Sequence, residues 1–254
     1  MSFSDYKTAL VTGASSGIGA AVVERLTREG LEVHALARSG KALDAISKRT
    51  GCTAHVLDVS DLPGITKLTA KIPFDILVNN AGVDRPRSFL NAEPEDVDLL
   101  VDVNLRAVLH LCRLVVPGMV ARDRGHVVNI TSIAGAYNFG GNSTYHATKA
   151  AVCMLSRQLR IDAFGKRVRV TEICPGRVAT DIFAHVHGDS PEVYAKYIEG
   201  YELPVASDVA DAIAFAIAAP VAVNIGHIEI TPTLQVMGGL STARPMTPSD
   251  AGQT

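Results

Sequence analysis

The stretch TALVTGASSGIG (residues 8–19) says most about the architecture, because an apolar run leads directly into a glycine-rich turn and a helical pattern. Glycines at positions 13, 17 and 19 let the backbone turn tightly and approach a pyrophosphate, whose charge a helix N-terminus favours. The spacing is G-x3-G-x-G, and no G-K-[ST] follows, which excludes a P-loop. The stretch predicts a strand, a dinucleotide-binding turn and a helix. A turn that holds no ligand is the alternative.

Apolar runs alternate with amphipathic stretches along most of the chain. The further runs are EVHALA (32–37), AHVLDV (54–59), DILVN (75–79), HVVNIT (126–131), VRVTEI (168–173) and HIEIT (227–231). The helical patterns between them cover residues 17–28, 43–49, 62–71, 94–120, 143–163 and 207–218. This βαβα alternation predicts an α/β fold with a doubly wound, Rossmann-like parallel sheet of about seven strands and helices on both faces.

The chain reads as one domain over residues 1–254, since it contains no internal repeat and no Pro/Gly/Ser-rich linker. Residues 180–202 break the alternation, and their length indicates a lid over the substrate. Residues 241–254 are rich in Pro, Ser and Thr, so we expect a loosely ordered tail.

Composition excludes several classes of partner. The formal net charge of −2 argues against nucleic acid or an anionic membrane as the main partner. The longest apolar run is too short to span a bilayer. The four cysteines are scattered without a CxxC pair, and residues 1–7 lack a basic segment followed by an apolar stretch. We therefore expect reduced thiols, no signal peptide and a cytoplasmic protein.

The end of the second predicted strand bears on the choice of dinucleotide. Dinucleotide folds that select NAD place an acid there, which holds the ribose 2′-OH and repels a 2′-phosphate. This chain has Ala37 and Arg38 instead, and an arginine can bind a phosphate. Ser15 and Lys41 are further candidates for that phosphate. The pattern favours NADP, although an Arg38 stacked on the adenine would tolerate either cofactor.

A catalytic group is predicted at the carboxyl edge of the sheet. Tyr145 and Lys149 lie four residues apart in a helical pattern and so share a face. A nearby ammonium stabilises phenolate, so we expect Lys149 to lower the pKa of Tyr145 toward the range of acid–base catalysis. Ser132 ends the fifth strand, where its hydroxyl could orient a carbonyl. Each residue also has a plainer interpretation, Ser132 as a strand-end cap and the other two as a solvated helix face.

Together with NNAG (79–82) and Asn104, these motifs make the chain resemble the short-chain dehydrogenase/reductase family in its compact single-domain branch. The resemblance implies hydride transfer between a nicotinamide and a carbonyl carbon. It also implies that Lys149 binds the nicotinamide ribose and that Asn104 holds a water that relays protons, although Asn104 could be a tolerated polar residue. Family members are usually dimers or tetramers, built here on helices 94–120 and 143–163.

The resemblance implies that residues from several segments of the chain together bind the cofactor. The set comprises Gly13, Ser15, Ser16, Gly17, Ile18, Gly19, Arg38, Asp58, Val59, Asn80, Ala81, Gly82, Tyr145, Lys149, Pro175, Gly176, Val178 and Thr180. Asp58 resembles the family's adenine contact, and Pro175 to Thr180 resemble its nicotinamide-side loop. No metal is expected, since His185-x-His187 lacks a nearby carboxylate pattern.

The substrate is predicted only as a small polar alcohol, ketone or aldehyde. The end NIGHIEITPTLQ (224–235) resembles the branch that oxidises 3-hydroxy acids such as serine, but histidines stand where a carboxylate-binding arginine is expected in the lid. Candidate substrate contacts are Tyr137, Asn138, Arg177 and His185, and Arg85 or Arg87 could replace the missing arginine. The alternatives are an NAD-dependent polyol or sugar dehydrogenase and, from another class, a dinucleotide-sensing regulatory protein.

Overall fold

The computed structural model describes residues 3–180, 182, 186, 188 and 190–245. Seven parallel strands form one sheet in the order β3-β2-β1-β4-β5-β6-β7. Their bounds are β1 Thr8–Thr12, β2 Glu32–Ala37, β3 Thr53–Val56, β4 Ile76–Asn79, β5 Gly125–Ile130, β6 Val168–Pro175 and β7 His227–Ile230. The predicted doubly wound sheet is confirmed.

Helices cover both faces of this sheet. They are α1 Gly17–Arg28, α2 Gly40–Thr50, α3 Leu62–Thr69, α4 Pro94–Val101, α5 Ala107–Ala121, α6 Ser143–Asp162, α7 Pro191–Tyr197 and α8 Ala206–Ala218. One buried apolar cluster joins the sheet to α1, α2 and α8, and the other joins it to α3, α5 and α6. Strands buried from both sides explain why their sequences are almost continuously apolar.

The predicted helix 94–120 is two helices joined by a π-helical turn. The turn, Asp102–Arg106, lies between α4 and α5, and the Ala107 N–H bonds to the Asp102 carbonyl. The π turn is a single-turn insertion, and the residues on each side of it keep helical apolar spacing, which is why the sequence pattern predicts one helix. Asn104 lies inside this turn and is 1% exposed.

Strand order determines where a ligand can bind. The chain moves outward from β1 to β3 and then returns to the other side of β1 at β4. Segments that leave β1 and β4 therefore diverge at the carboxyl edge, which is where open α/β sheets form their crevice. The glycine turn follows β1, Arg38 follows β2, and Ser132 lies just after β5, so all three lie at this edge.

The two segments that interrupt the alternation are described only in part. Residues 190–202 of the predicted lid contain α7, while positions 181, 183–185, 187 and 189 lie outside the described residues. In the predicted tail, Ala243 N donates to Leu234 O at 2.9 Å and Thr242 pairs with Gln235. The beginning of the tail is thus hydrogen-bonded, and residues 246–254 lie outside the description.

Within the described part of the chain, no helix is both long and apolar enough to cross a membrane.

Candidate active site

A cleft of about 630 Å³ opens at the carboxyl edge of the sheet. Most of the predicted cofactor and catalytic residues line it. They are Gly13, Ser15, Ser16, Gly17, Ile18, Arg38, Asp58, Val59, Asn80, Ala81, Gly82, Ser132, Tyr145, Lys149, Pro175, Gly176, Val178 and Thr180. The fold therefore gathers residues from the ends of six strands, β1 to β6, into one cavity.

The glycine turn has a conformation that only glycine adopts easily. Gly13 and Gly17 have φ angles of +64° and +51°. Gly19 lies behind the turn, where an added Cβ would stand 2.2 Å from the Gly13 carbonyl oxygen. The Asn80 amide donates to the carbonyls of Thr12 and Gly13 at 3.0 and 3.2 Å, which anchors the turn to the end of β4. The main chain of this turn is therefore not covered by side chains at Gly13 and Gly17, just before α1.

The N-terminus of α1 opens toward the same cleft. Ser16 precedes the helix, yet its side chain does not cap it, and the first turn carries no acidic side chain. The first N–H groups of a helix lack intrahelical acceptors and carry partial positive charge. This end of the cleft can therefore receive a phosphate.

Arg38 stands at the end of β2 beside Asp58. Its side chain is 67% exposed, and its Nη1 lies 3.8 Å from Asp58 Oδ2. Burial works to raise the pKa of Asp58, but hydrogen bonds from Ser60 and the charge of Arg38 together hold that pKa below its usual value. The guanidinium faces solvent at the cleft and remains available to an anionic ligand.

Ser132, Tyr145 and Lys149 converge at the other end of the cleft. Ser132 follows β5, and its Oγ accepts from Ala134 N at 3.1 Å and hydrogen-bonds the Tyr145 side chain. Tyr145 lies in the first turn of α6. Lys149 Nζ donates to the Ile130 carbonyl at 3.0 Å and lies 5.6 Å from the centre of the Tyr145 ring. A hydroxyl, a phenol and an amine thus share one small volume.

The expected lowering of the Tyr145 pKa is wrong for this structure. Burial raises the pKa of Tyr145 well above its ordinary value, the charge of Asp84 raises it further, and the hydrogen bond with Ser132 lowers it. Burial also lowers the pKa of Lys149 to about 8, while the nearby Cys153 and Asp84 act to raise it. Desolvation disfavours both charged forms, and the spacing of Tyr145 and Lys149 in the sequence does not reveal it.

Asn104 lies behind the cleft and does not line it. Its Oδ1 accepts from Val83 N at 2.8 Å, and its Nδ2 donates to Val83 O at 2.8 Å. A more distant contact of 3.5 Å joins Nδ2 to Thr148 Oγ1 on α6. The side chain therefore ties the segment after β4 to the π turn.

Asp84 is a cleft residue that the sequence argument missed. It lines the cavity and accepts a hydrogen bond from Asn142 Nδ2. Its position two residues after NNAG, at the carboxyl edge of β4, was the available signal. Arg85 also lines the cleft, and its Nε lies 3.5 Å from Asp96, an acid that Arg87 Nε also approaches to 3.5 Å.

The predicted substrate contacts do not line the cleft where the structure describes them. The Tyr137 hydroxyl donates to Glu229 Oε2 at 3.0 Å. Arg177 donates to the Leu240 carbonyl at 3.1 Å and stacks on Tyr201. Asn138 is likewise absent from the lining, and His185 and His187 lie outside the described residues. Ile182 and Val186 from the lid segment do line the cleft, and they are apolar.

The chain is similar in sequence to known proteins. The family model for short chain dehydrogenases matches residues 7–190. A short-chain type dehydrogenase/reductase of Sinorhizobium fredii is 37% identical over 240 residues, which cover 94% of this chain and 96% of the relative. An NADP-dependent 3-hydroxy acid dehydrogenase of Escherichia coli K12 is 35% identical over 250 residues, with coverage of 92% and 98%.

Solved structures agree with the sequence relatives. The closed form of a serine dehydrogenase complexed with NADP+ superposes with a TM-score of 0.87 at 34% identity, and the match covers 94% of this chain and 100% of that one. The predicted resemblance is confirmed: this protein belongs to the short-chain dehydrogenase/reductase family.

Proposed function

We propose that this protein is an NADP(H)-dependent oxidoreductase that interconverts a small polar alcohol and the corresponding ketone or aldehyde. The observation that carries the proposal is the meeting of Ser132, Tyr145 and Lys149 in one cleft with a bare glycine turn. Relatives named as NADP-dependent dehydrogenases and structures solved with NADP support the same reaction and cofactor.

The cleft suits NADP(H) along its length. The glycine turn and the N-terminus of α1 would bind the pyrophosphate. A Cβ at Gly13 would lie 2.8 Å from Ala81 Cα, so a side chain at this position would distort the turn. Arg38 would bind the 2′-phosphate, with Ser15 nearby, and Asp58 with Val59 would border the adenine. Asn80, Ala81, Gly82 and residues 175–180 would border the nicotinamide half. The bound cofactor supplies or accepts the hydride.

The reacting oxygen would lie between two hydroxyl groups. Ser132 would donate a hydrogen bond to the carbonyl oxygen and orient it. Tyr145 would give its phenolic proton to that oxygen during reduction and take the proton back during alcohol oxidation. Lys149, whose pKa is about 8, is largely protonated at neutral pH and would stabilise the phenolate when it forms.

Proton exchange with solvent is the role that we propose for Asn104. A π turn interrupts the regular pattern of main-chain hydrogen bonds, and such turns are frequent at functional sites. The side chain of Asn104 is engaged by Val83, so the water that the family resemblance implies would be held through the main chain of the turn.

The substrate is proposed at the level of a small hydroxy compound. A 3-hydroxy acid is the first class to test, because relatives carry that name. The polyol alternative is separated by including sugars and polyols in the same screen of NADP+ reduction. A regulatory sensor would bind NADPH tightly and turn over none of these compounds.

Tyr145→Phe tests the proposed chemistry directly. Phenylalanine keeps the ring and removes the proton, so kcat should fall by about 100-fold or more, the usual contribution of a general acid–base. NADPH affinity, measured by fluorescence titration, should stay within about two-fold of wild type. Undiminished turnover in this variant would contradict the assigned role.

Arg38→Asp tests the choice of cofactor. The substitution places a negative charge against the 2′-phosphate, so the ratio of kcat/KM for NADPH over NADH should fall by about 100-fold or more. Lys48→Asp is the matched control, since it makes the same charge change at an exposed position of α2 that does not line the cleft. If Arg38→Asp leaves the ratio unchanged, Arg38 does not read the phosphate.

Domain organisation, assembly and location complete the proposal. We infer one catalytic domain over residues 1–254, with residues 180–202 as a lid, and a homodimer or homotetramer built on α5 and α6. A cytoplasmic location is supported by four buried free cysteines, which a reducing compartment maintains. Cell fractionation with an antibody to the protein tests the location.

A further inference from the structure

Strands β6 and β7 carry a patch of metal-ligand side chains to which no catalytic or cofactor role has been assigned, and Cys174 in this patch lies close enough to Tyr145 and Lys149 to act on both electrostatically. In the parallel register, Glu172 pairs with His227 and Cys174 pairs with Glu229. Side chains two residues apart on a strand point to the same face of the sheet. A square of two carboxylates, one imidazole and one thiol therefore lies on a single face at the edge of the sheet.

Three of these side chains are close enough to share one ion. The ligand atoms of Cys174, His227 and Glu229 all lie within 4.8 Å of one another. Tetrahedral zinc with ordinary Zn–S and Zn–N bond lengths places its ligand atoms about 3.3–3.8 Å apart. Side-chain rotations that bring the atoms together by about 1 Å would complete the coordination.

Neighbouring side chains contact two of these three ligands and orient them. Glu172 Oε2 lies 3.4 Å from His227 Nδ1, which leaves Nε2 of the imidazole for a metal. The Tyr137 hydroxyl donates to Glu229 Oε2 at 3.0 Å. The Thr131 hydroxyl donates to Glu172 Oε1 at 3.1 Å and fixes that carboxylate in turn. Carboxylate–histidine pairs of this kind orient metal ligands in many proteins.

The charge of the patch favours a cation. Glu172 is buried, with 3% of its side chain exposed, and its ion-pair partner is His227. Among the described residues, no lysine or arginine forms an ion pair with Glu172 or Glu229. A bound cation would compensate the negative charges of Glu172 and Glu229.

We propose that Cys174, His227 and Glu229 bind a divalent transition-metal ion, with Zn²⁺ as the expected metal and a fourth position open to solvent. The mixture of thiolate, imidazole and carboxylate selects Zn²⁺ over Mg²⁺ or Ca²⁺, which prefer oxygen ligands alone. His227 is 45% exposed on its side chain, which gives the ion a path from solvent.

Metal binding at this place would connect three parts of the fold. It would join the edge strand β7 to β6 and, through Tyr137, to the segment after Ser132. Pro175 and Gly176, which line the cleft, follow Cys174 directly. The ion would therefore stabilise the wall of the cleft beside the residues assigned to hydride transfer.

Cobalt titration of untagged protein, treated with chelator and then dialysed, tests the proposal. Co²⁺ bound to a thiolate absorbs in the near ultraviolet, so the band should grow to saturation at about one Co²⁺ per chain and vanish when Zn²⁺ displaces it. Cys174→Ser should lack the band. Cys52→Ser is the matched control, because Cys52 is also buried but precedes β3 at the opposite edge of the sheet, and it should keep the band.

A second variant covers the case in which Cys174→Ser fails to fold. His227→Ala removes an exposed ligand and should weaken cobalt binding by roughly 10-fold or more while the protein stays folded. Unchanged affinity in His227→Ala would overturn the proposal, as would a band that persists in folded Cys174→Ser or no band in the wild type at excess Co²⁺. None of these readouts depends on turnover, so they stand apart from the proposed oxidoreductase activity.

Discussion

Asp84 affects the pKa values of two residues in the cleft, and its position in the sequence does not indicate this role. Its carboxylate raises the pKa of both Tyr145 and Lys149, because a negative neighbour favours the protonated form of each. Two anchors hold it there, since Asn142 donates to its side chain and Asn104 holds the main chain of the preceding Val83. A fixed negative charge thus stands beside the proposed proton donor.

Asp84→Asn should shift the pH dependence of catalysis. Alcohol oxidation needs Tyr145 as phenolate, so kcat/KM rises as pH increases through the pKa of the phenol. Removing the Asp84 charge lowers that pKa, and the rise should therefore occur at lower pH than in the wild type. The measurement is kcat/KM for alcohol oxidation across pH, with Asp98→Asn on the exposed side of α4 as control. A shift to higher pH would show that Asp84 acts in another way.

At the scale of elements, the turn between β1 and α1 depends on close backbone approach. Gly19 faces the Gly13 carbonyl, and Gly13 in turn faces Ala81, so three segments meet with no room for side chains. The G-x3-G-x-G spacing indicated a binding turn. The reason for the last glycine is visible only in the packed structure, where α1 lies against the end of β1.

Gly19→Ala should weaken cofactor binding, because the new Cβ would lie 2.2 Å from the Gly13 carbonyl oxygen and push the turn out of shape. We expect the Kd for NADPH to rise by roughly 10-fold or more, equivalent to about 1.4 kcal/mol. Gly140→Ala is the matched control, since no atom lies within 4 Å of the added Cβ at that position. Fluorescence titration measures both, and equal affinities would argue against the role of this glycine.

At the scale of the whole molecule, two long helices present apolar side chains to solvent. On α6, Met154 and Ile161 are 60% and 66% exposed, and Phe164 just beyond the helix is 91% exposed. Leu109 on α5 is 43% exposed. Large exposed apolar side chains on these two helices are candidates for a contact between subunits, so we expect assembly through them.

Ile161→Lys combined with Met154→Lys should lower the assembly state. Burying two lysines in an apolar interface is unfavourable, so the variant should have a lower mass than the wild-type dimer or tetramer. Light scattering during size-exclusion chromatography measures both masses. Leu90→Lys, which changes an exposed residue outside these helices, should leave the mass unchanged. A monomeric wild type would contradict the proposed assembly.

The sequence by itself determined the alternation of strands and helices, the glycine turn and the candidates Ser132, Tyr145 and Lys149. These features are local, because apolar periodicity, glycine conformation and helical spacing act over a few residues. The spacing of Tyr145 and Lys149 brought them to one face, as expected, and the carboxyl ends of the strands brought Ser132 and Arg38 to the same edge.

Only the tertiary structure decided the burial of Tyr145, the approach of Asp84, the division of helix 94–120 by a π turn and the patch on β6 and β7. Desolvation depends on what covers a side chain, and no spacing rule records it, so the direction of the Tyr145 pKa was predicted wrongly. The patch depends on the register between two strands that α7 and α8 separate in the chain. Contacts between distant segments arise from packing, and packing sets both the chemistry of the cleft and the arrangement of the side chains on β6 and β7.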